Sequence, residues 1–224
     1  MGGTGETDAG RAGVREGRRL GVPAGDIVLA ARHLFEDRGV AATTVTAVAE
    51  DAGVSRELVY YYFPGKQALI DAVVDDYAED LVDSAAMWNE LRRFGDTPGS
   101  LRACMLSFRR ALFDANGLRP MIGVLEELGI RDAFVVRAVR ETAAYLCDCV
   151  AVEYAAYHDV EIDLVFEMFC VALFGLVGLV KACPDISDDD LMKVVEQTLH
   201  LDMRVLDPPS SAAGGPADEG DAGA

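Results

Sequence analysis

Tyr60, Tyr61, Tyr62 and Phe63 stand in one unbroken run, a turn after Arg56 and Glu57. Three consecutive helical residues span about 200° of arc, more than one core face can absorb. Read purely as packing, the run would be an aromatic core patch, and the arc argues against that. At least one or two rings must face solvent, where a phenol can bond a phosphate and lie against a sugar. With Arg56 and Glu57 exposed on the same two turns, the segment suits recognition better than catalysis.

Other chemistries find less support. Cys104, Cys147, Cys149, Cys170 and Cys183 are five in number, and an odd count with no secretory leader before them does not suggest a disulfide framework. Cys147 and Cys149 point in different directions on a helix. His33, His158 and His200 lie far apart, with no partner at metal-ligand spacing. Gly2-Gly3-Thr4-Gly5 follows no strand and carries no lysine where a phosphate loop needs one. No nucleophile elbow occurs. No catalytic residue, metal or cofactor is expected, and an enzyme is not.

The elements that hold the aromatic run are helices. Ile27, Ala30, Ala31, Leu34 and Phe35 follow the helical period, and Gly39 supplies a stop. Thr44 caps a short helix that buries Val45, Val48, Ala49 and Ala52. Gly53 turns the chain, and Ser55 caps a second short helix to about Tyr62. Pro64-Gly65 breaks it, and a long helix starts at Lys66 and runs to Trp88 or beyond. Two short helices joined by a tight glycine turn form a helix-turn-helix. Further helices are expected over about 96–117, from Pro120 through Leu128, over 132–158, from Asp163 to before Pro184, and from Ser187 to about residue 206. The expected fold is all-α, with about nine helices.

The residues Thr43-Thr44-Val45, Val48-Ala49, Ala52-Gly53-Val54-Ser55, Tyr60 through Lys66 and Ala68-Leu69 resemble the amino-terminal signature of the tetracycline-repressor (TetR) family, over roughly residues 24–75. The resemblance implies an amino-terminal three-helix DNA-binding unit and a larger helical unit for ligand binding and dimerisation. It also implies roles. Ser55 caps the recognition helix and bonds phosphate. Arg56, Glu57 and Leu58 lie along the major groove and read base edges, and Tyr60 and Tyr61 touch the backbone or bases as well. Thr44 and Lys66 hold phosphates. Thr46 stands where many relatives carry a basic residue, Tyr62 replaces a common histidine, and Gly65 replaces a common serine. Glu57 could accept from cytosine N4 or repel phosphate.

The domain plan is an arginine-bearing disordered arm (1–21), a DNA-binding unit (22–70), a ligand-sensing and dimerising unit (71–207) and a disordered tail (208–224). Arg11, Arg15 and Arg18 would share a face if the arm became helical on DNA. The stretch 164–180 is apolar nearly all round, with Gly175 and Gly178 permitting close approach. With 188–206 it suits half of a four-helix bundle between two copies. The run 168–180 is too short to cross a bilayer, so no membrane partner is expected and the protein is placed in the cytoplasm. A small-molecule effector would meet Met105, Phe108, Phe113, Met121, Leu125, Tyr145, Cys149, Met168 and Phe169.

The formal net charge of −18 opposes binding to polyanionic DNA. Its distribution softens this: residues 1–21 sum to +1 and residues 22–70 to −2. The expectation is a repressor that binds a near-palindromic operator as a homodimer and is released by an effector. The alternative is a dimeric helical adaptor that has lost DNA binding.

Overall fold

The computed structural model describes residues 22–93, 95–114 and 117–205. The arm with Arg11, Arg15 and Arg18 and the tail from Pro208 lie outside the described residues. Ile27, Ala30, Ala31, Leu34 and Phe35 form the buried face of α1 (Val22–Arg38). Gly39, at φ +87°, takes the left-handed backbone that ends it. The buried Thr43 then donates its hydroxyl to the carbonyls of Leu34 and Gly39, at 3.1 and 2.9 Å. Thr44 caps α2 (Val45–Asp51), and Ser55 caps α3 (Arg56–Tyr62). Val48, Ala49, Val59 and Phe63 close the underside of both short helices onto the same core as α1.

The long α4 (Lys66–Leu91) follows, then α5 (Thr97–Leu112) and α6 (Pro120–Glu127). Next comes α7, which starts as Arg131–Tyr145 and continues unbroken through a π-helical stretch, Leu146–Ala151, and a last turn, Val152–Ala155. Finally come α8 (Val165–Ala182) and α9 (Asp188–Leu199). With α7 counted as one rod, the described residues hold nine helices, and the all-α expectation holds.

Three helix ends differ from the sequence expectation. α5 stops at Leu112 rather than near 117, because the chain there folds into a two-residue antiparallel ladder, Phe113 opposite Leu118. α7 ends at Ala155 rather than His158. α9 stops at Leu199 rather than near 206, because His200 adopts φ +49° and the Leu201 amide returns to the Glu196 carbonyl at 3.0 Å. The Asp202 amide is then taken by the Tyr154 hydroxyl at 2.7 Å.

The core comes in two parts. One gathers the buried faces of α1 to α4 together with Met121, Val124, Leu125, Phe134 and Ala138 from α6 and α7. The other gathers Leu101 and Met105 of α5 with Leu176 and Val180 of α8 and Leu191, Met192, Val195 and Leu199 of α9. Residue 70, drawn as a unit border, lies inside α4, so the helix-turn-helix head and the body share one helix and one core.

Polar contacts add to that continuity. The Arg32 guanidinium of α1 sits 2.6 Å from both Asp76 and Asp80 of α4 and stacks on Tyr77, 4.7 Å from the ring centre. The Glu127 carboxylate at the end of α6 accepts the amides of Val40 and Ala41 at 2.8 and 2.7 Å. The head is thus tied to α4 on one side and to α6 on the other.

Candidate nucleic-acid interface and effector cavities

Every polar group singled out in the helix-turn-helix reaches the surface. Thr44, Thr46, Ser55, Arg56 and Glu57 are exposed, and Leu58 and Lys66 are half-buried. Tyr61 is 78% exposed, Tyr60 41% and Tyr62 37%, while Phe63 is buried at 6%. The core takes the phenylalanine and leaves all three phenols partly outside. Tyr61 and Tyr62 brace each other edge to face at 5.0 Å.

The side chains of α3 are ordered along its outer face. Arg56 donates from Nη2 to the Tyr60 hydroxyl at 3.2 Å and lies over its ring, one helical turn on. This pair holds a guanidinium and a phenol together, a cation with two kinds of hydrogen-bonding group. The Ser55 Oγ accepts the Leu58 amide at 3.2 Å, and the Thr44 Oγ1 accepts the Ala47 amide at 3.1 Å. In the Thr44 cap the hydroxyl proton remains available to a phosphate oxygen, whereas that of Ser55 turns to the Glu57 carboxylate. At the start of α4, Gly65 provides no side-chain cap, so the first amides of that helix are left for an anion. Lys66 beside them donates to the Ala41 carbonyl at 3.3 Å.

Glu57 has an occupation of its own. Its own backbone amide and then the Ser55 hydroxyl hold its carboxyl below the usual carboxylate range. The acid turns back on the helix start, where a negative charge favours the macrodipole.

The Glu127 clamp was not visible in the sequence, since 87 residues separate the carboxylate from the Val40 amide. The amides of Ala41 and Val40 depress its pKa. Its contribution is therefore present above the ordinary carboxylate range and is lost as pH falls through the depressed value. Glu127→Ala should speed hydrogen exchange at Val40 and Ala41 while leaving the α1 core amides protected. In the native protein the same two amides should lose protection only below the usual carboxylate range. Unchanged exchange in the variant would remove the clamp from the account.

Two apolar cavities open within the body. One, of about 180 Å³, lies between the end of α4, α5, the end of α7, the 157–162 loop, α8 and α9. The other, of about 150 Å³, lies nearer the head, among α4, α5, α6, α7 and α8. Of the expected effector contacts, Met105 and Phe169 line the first, Met121 and Leu125 the second, and Phe108 both. Phe113, Tyr145, Cys149 and Met168 line neither. Phe113 and Met168 pack on the α5–α8–α9 core, and the Tyr145 hydroxyl accepts from Asn89 at 3.1 Å. Cys149 sits half-buried on the π-helical stretch. Trp88, Leu146 and Leu173, absent from the expectation, line both cavities.

α8 presents an uncovered apolar stripe. Val171 is 58% and Phe174 41% exposed, and no atom lies within 4 Å of where a Cβ on Gly175 or Gly178 would sit. At 18 residues with a mean hydropathy of 2.0, it is the one helix among the described residues long and apolar enough to cross a membrane. Its other face packs on α7 and α9, as a bundle helix does. Glu167, in the first turn of α8, is exposed.

Comparison with known proteins places these features in context. Residues 27–73 match the family model described as bacterial regulatory proteins, tetR family. The chain is 31% identical over 194 residues to a Pseudomonas putida protein named "Probable HTH-type transcriptional regulator ArpR", covering 81% of this chain and 91% of that one. It is 39% identical over 72 residues to the HTH-type transcriptional regulator EthR of Mycobacterium tuberculosis, and this match spans only 33% of EthR. Among solved structures, Salmonella enterica GusR superposes with a TM-score of 0.56 at 17% identity, over 80% of this chain and 96% of that one, a likeness of fold.

Proposed function

This chain belongs to the tetR family of bacterial regulatory proteins, and on that premise we propose that it is a cytoplasmic transcriptional repressor, binding a near-palindromic operator as a homodimer and released by a small molecule. The observation that carries the reading is α3, a short capped helix whose outer face is Arg56, Tyr60 and Tyr61 and whose inner face is core. A helix built this way fits a major groove, its start toward base edges and its caps toward phosphates.

The two ties of the head supply the switch. Arg32 holds the head to α4 and Glu127 holds it to α6, while the cavity nearer the head lies between α4 and α6. A ligand that wedges those helices apart pulls on both ties and changes the spacing of two recognition helices in a dimer. Coupling of about 1–3 kcal/mol is typical of such a device. The adaptor reading has the net charge in its favour, but the relatives matched here carry the names of transcriptional regulators.

Substitutions at α3 and α4 test the contact assignment. Lys66→Ala should weaken all duplexes about equally and lower the salt slope by roughly one. Arg56→Ala should relax preference at one symmetric pair of positions, by about 1–3 kcal/mol if the guanidinium grips a guanine. Binding across a site library reads both. An even loss from Arg56→Ala would make it a backbone contact and pass base reading to Glu57, Leu58 and Tyr61.

A further inference from the structure

The two cavities share five lining residues: Trp88, Cys104, Phe108, Leu146 and Leu173. The wall between them is therefore a single layer of side chains. We propose that they are two compartments of one chamber, which takes a single uncharged, elongated, mainly apolar molecule lying across the Phe108, Leu146 and Leu173 partition. The proposal rests on the reading of these cavities as the effector site and names the class of molecule that fills it.

Size is the first argument. At about 150 and 180 Å³, each compartment alone falls short of the roughly 300 Å³ at which small-molecule sites begin, and the two together reach it. The partition is also built to yield. Leu146 opens the π-helical stretch of α7, and Val150 and Ala151 of that stretch line the first compartment. A π turn holds an extra residue that a helix can shed by a shift of register, and such turns gather at functional sites. Phe108 is half-buried on α5 and faces both compartments, so rotation of its ring changes the width of the passage.

Charge decides the ligand class. In the first compartment Arg93, Asp159, Glu161 and His200 are exposed, and the half-buried charged and titratable groups are already engaged, with His158 3.3 Å from Asp202. Arg92 donates to Glu153 at 2.5 Å and to Asn89 at 2.6 Å, and Asp96 caps Gly99 at 2.9 Å. In the second, Arg131 is the one charged lining residue, and it pairs with Glu126 and Asp132. Burial pushes the Cys104 thiol up to about 12, so the partition itself carries no charge. An ion drawn past the exposed groups of the first compartment to the Phe108, Leu146 and Leu173 partition would lose its water among apolar side chains. One polar end can still be held: Tyr154 lines the first compartment, and its hydroxyl accepts the Asp202 amide, a bond that does not use its own proton.

Straight-chain primary alcohols from hexanol to tetradecanol, titrated into the full-length protein by calorimetry, test this. Each added methylene should tighten binding about fourfold, the equivalent of ~0.8 kcal/mol, and the gain should continue beyond the length that fills one compartment. Phe108→Trp should end the gain at a shorter chain, and Phe108→Ala should not. Carboxylates and ammonium ions of equal length should bind at least tenfold more weakly. Should the gain stop at one short length in both the native protein and Phe108→Ala, the compartments are separate and the proposal fails. It fails equally if no alcohol binds or if the ions bind as well as the alcohols. DNA binding measured beside each titration keeps the two readings apart. Long alcohols that bind as expected but leave DNA affinity unchanged would uphold the chamber and overturn the effector reading. Release by short alcohols with no gain from longer ones would do the reverse.

Discussion

Phe174→Asp should convert the protein to a monomer at micromolar concentration and lower its affinity for an operator roughly 10²–10⁴-fold, the advantage that linkage of two half-site binders ordinarily confers. The substitution places a charge in the middle of the exposed stripe of α8, between Val171 and Gly178. That stripe has the form of a surface that takes a second helix. Large side chains stand out beside glycines, and the space over Gly175 and Gly178 is open to a second backbone. Val194 of α9, 39% exposed, adds apolar surface from the neighbouring helix. A second copy laid on α8 and α9 would form a four-helix bundle and should bury roughly 2,000 Å² or more in total. Sedimentation reads the mass, and far-UV circular dichroism shows whether the helices survive. A folded variant that still sediments as a dimer would move the interface off α8.

Arg32→Ala should destabilise the folded protein by roughly 2–4 kcal/mol, somewhat under the usual loss for a fully buried ion pair because the side chain keeps some solvent. Arg32 is 16% exposed, with Asp76 at 17% and Asp80 at 28%. Burial alone would lower the Arg32 pKa. The hydrogen-bonded carboxylates of Asp80 and Asp76 outweigh it and raise the pKa, so the guanidinium stays charged. Removing it takes away the guanidinium that the partly buried carboxylates of Asp76 and Asp80 share. Neutralising both in the same variant, Asp76→Asn with Asp80→Asn, should recover much of the loss. Urea denaturation measures each step. A loss under about 0.5 kcal/mol would place this cluster among ordinary surface ion pairs.

The helix-turn-helix could be read from the chain because its signals are local. Thr44 and Ser55 act as caps through bonds to amides three residues away, and Gly53 turns the chain at φ +66°. The aromatic run was readable for a similar reason, since angular spacing on a helix needs no partner. The clamp of Glu127 on Val40 and Ala41 was not, because nothing near Glu127 in sequence announces a partner so distant. The early end of α9 depends likewise on Tyr154 receiving the Asp202 amide.

The cavities mark a different boundary. Periodicity identifies an inward helix face but does not tell packed core from the wall of a void. Met105, Phe108 and Phe169 therefore looked no different from Phe113 and Met168, which belong to the same core but line no cavity. Nor did composition announce the π-helical stretch, where Leu146 enters both linings.

The net charge of −18 keeps DNA binding itself the claim most in need of a direct trial. Selection of bound duplexes from a random DNA pool by the full-length protein at physiological salt provides it. A dimer with two copies of α3 in successive major grooves should enrich a motif with two inverted half-sites, their centres about 34 Å apart or a multiple of it. Enrichment of no motif, or of one without two-fold symmetry, would contradict the regulator reading and leave the dimeric adaptor in its place.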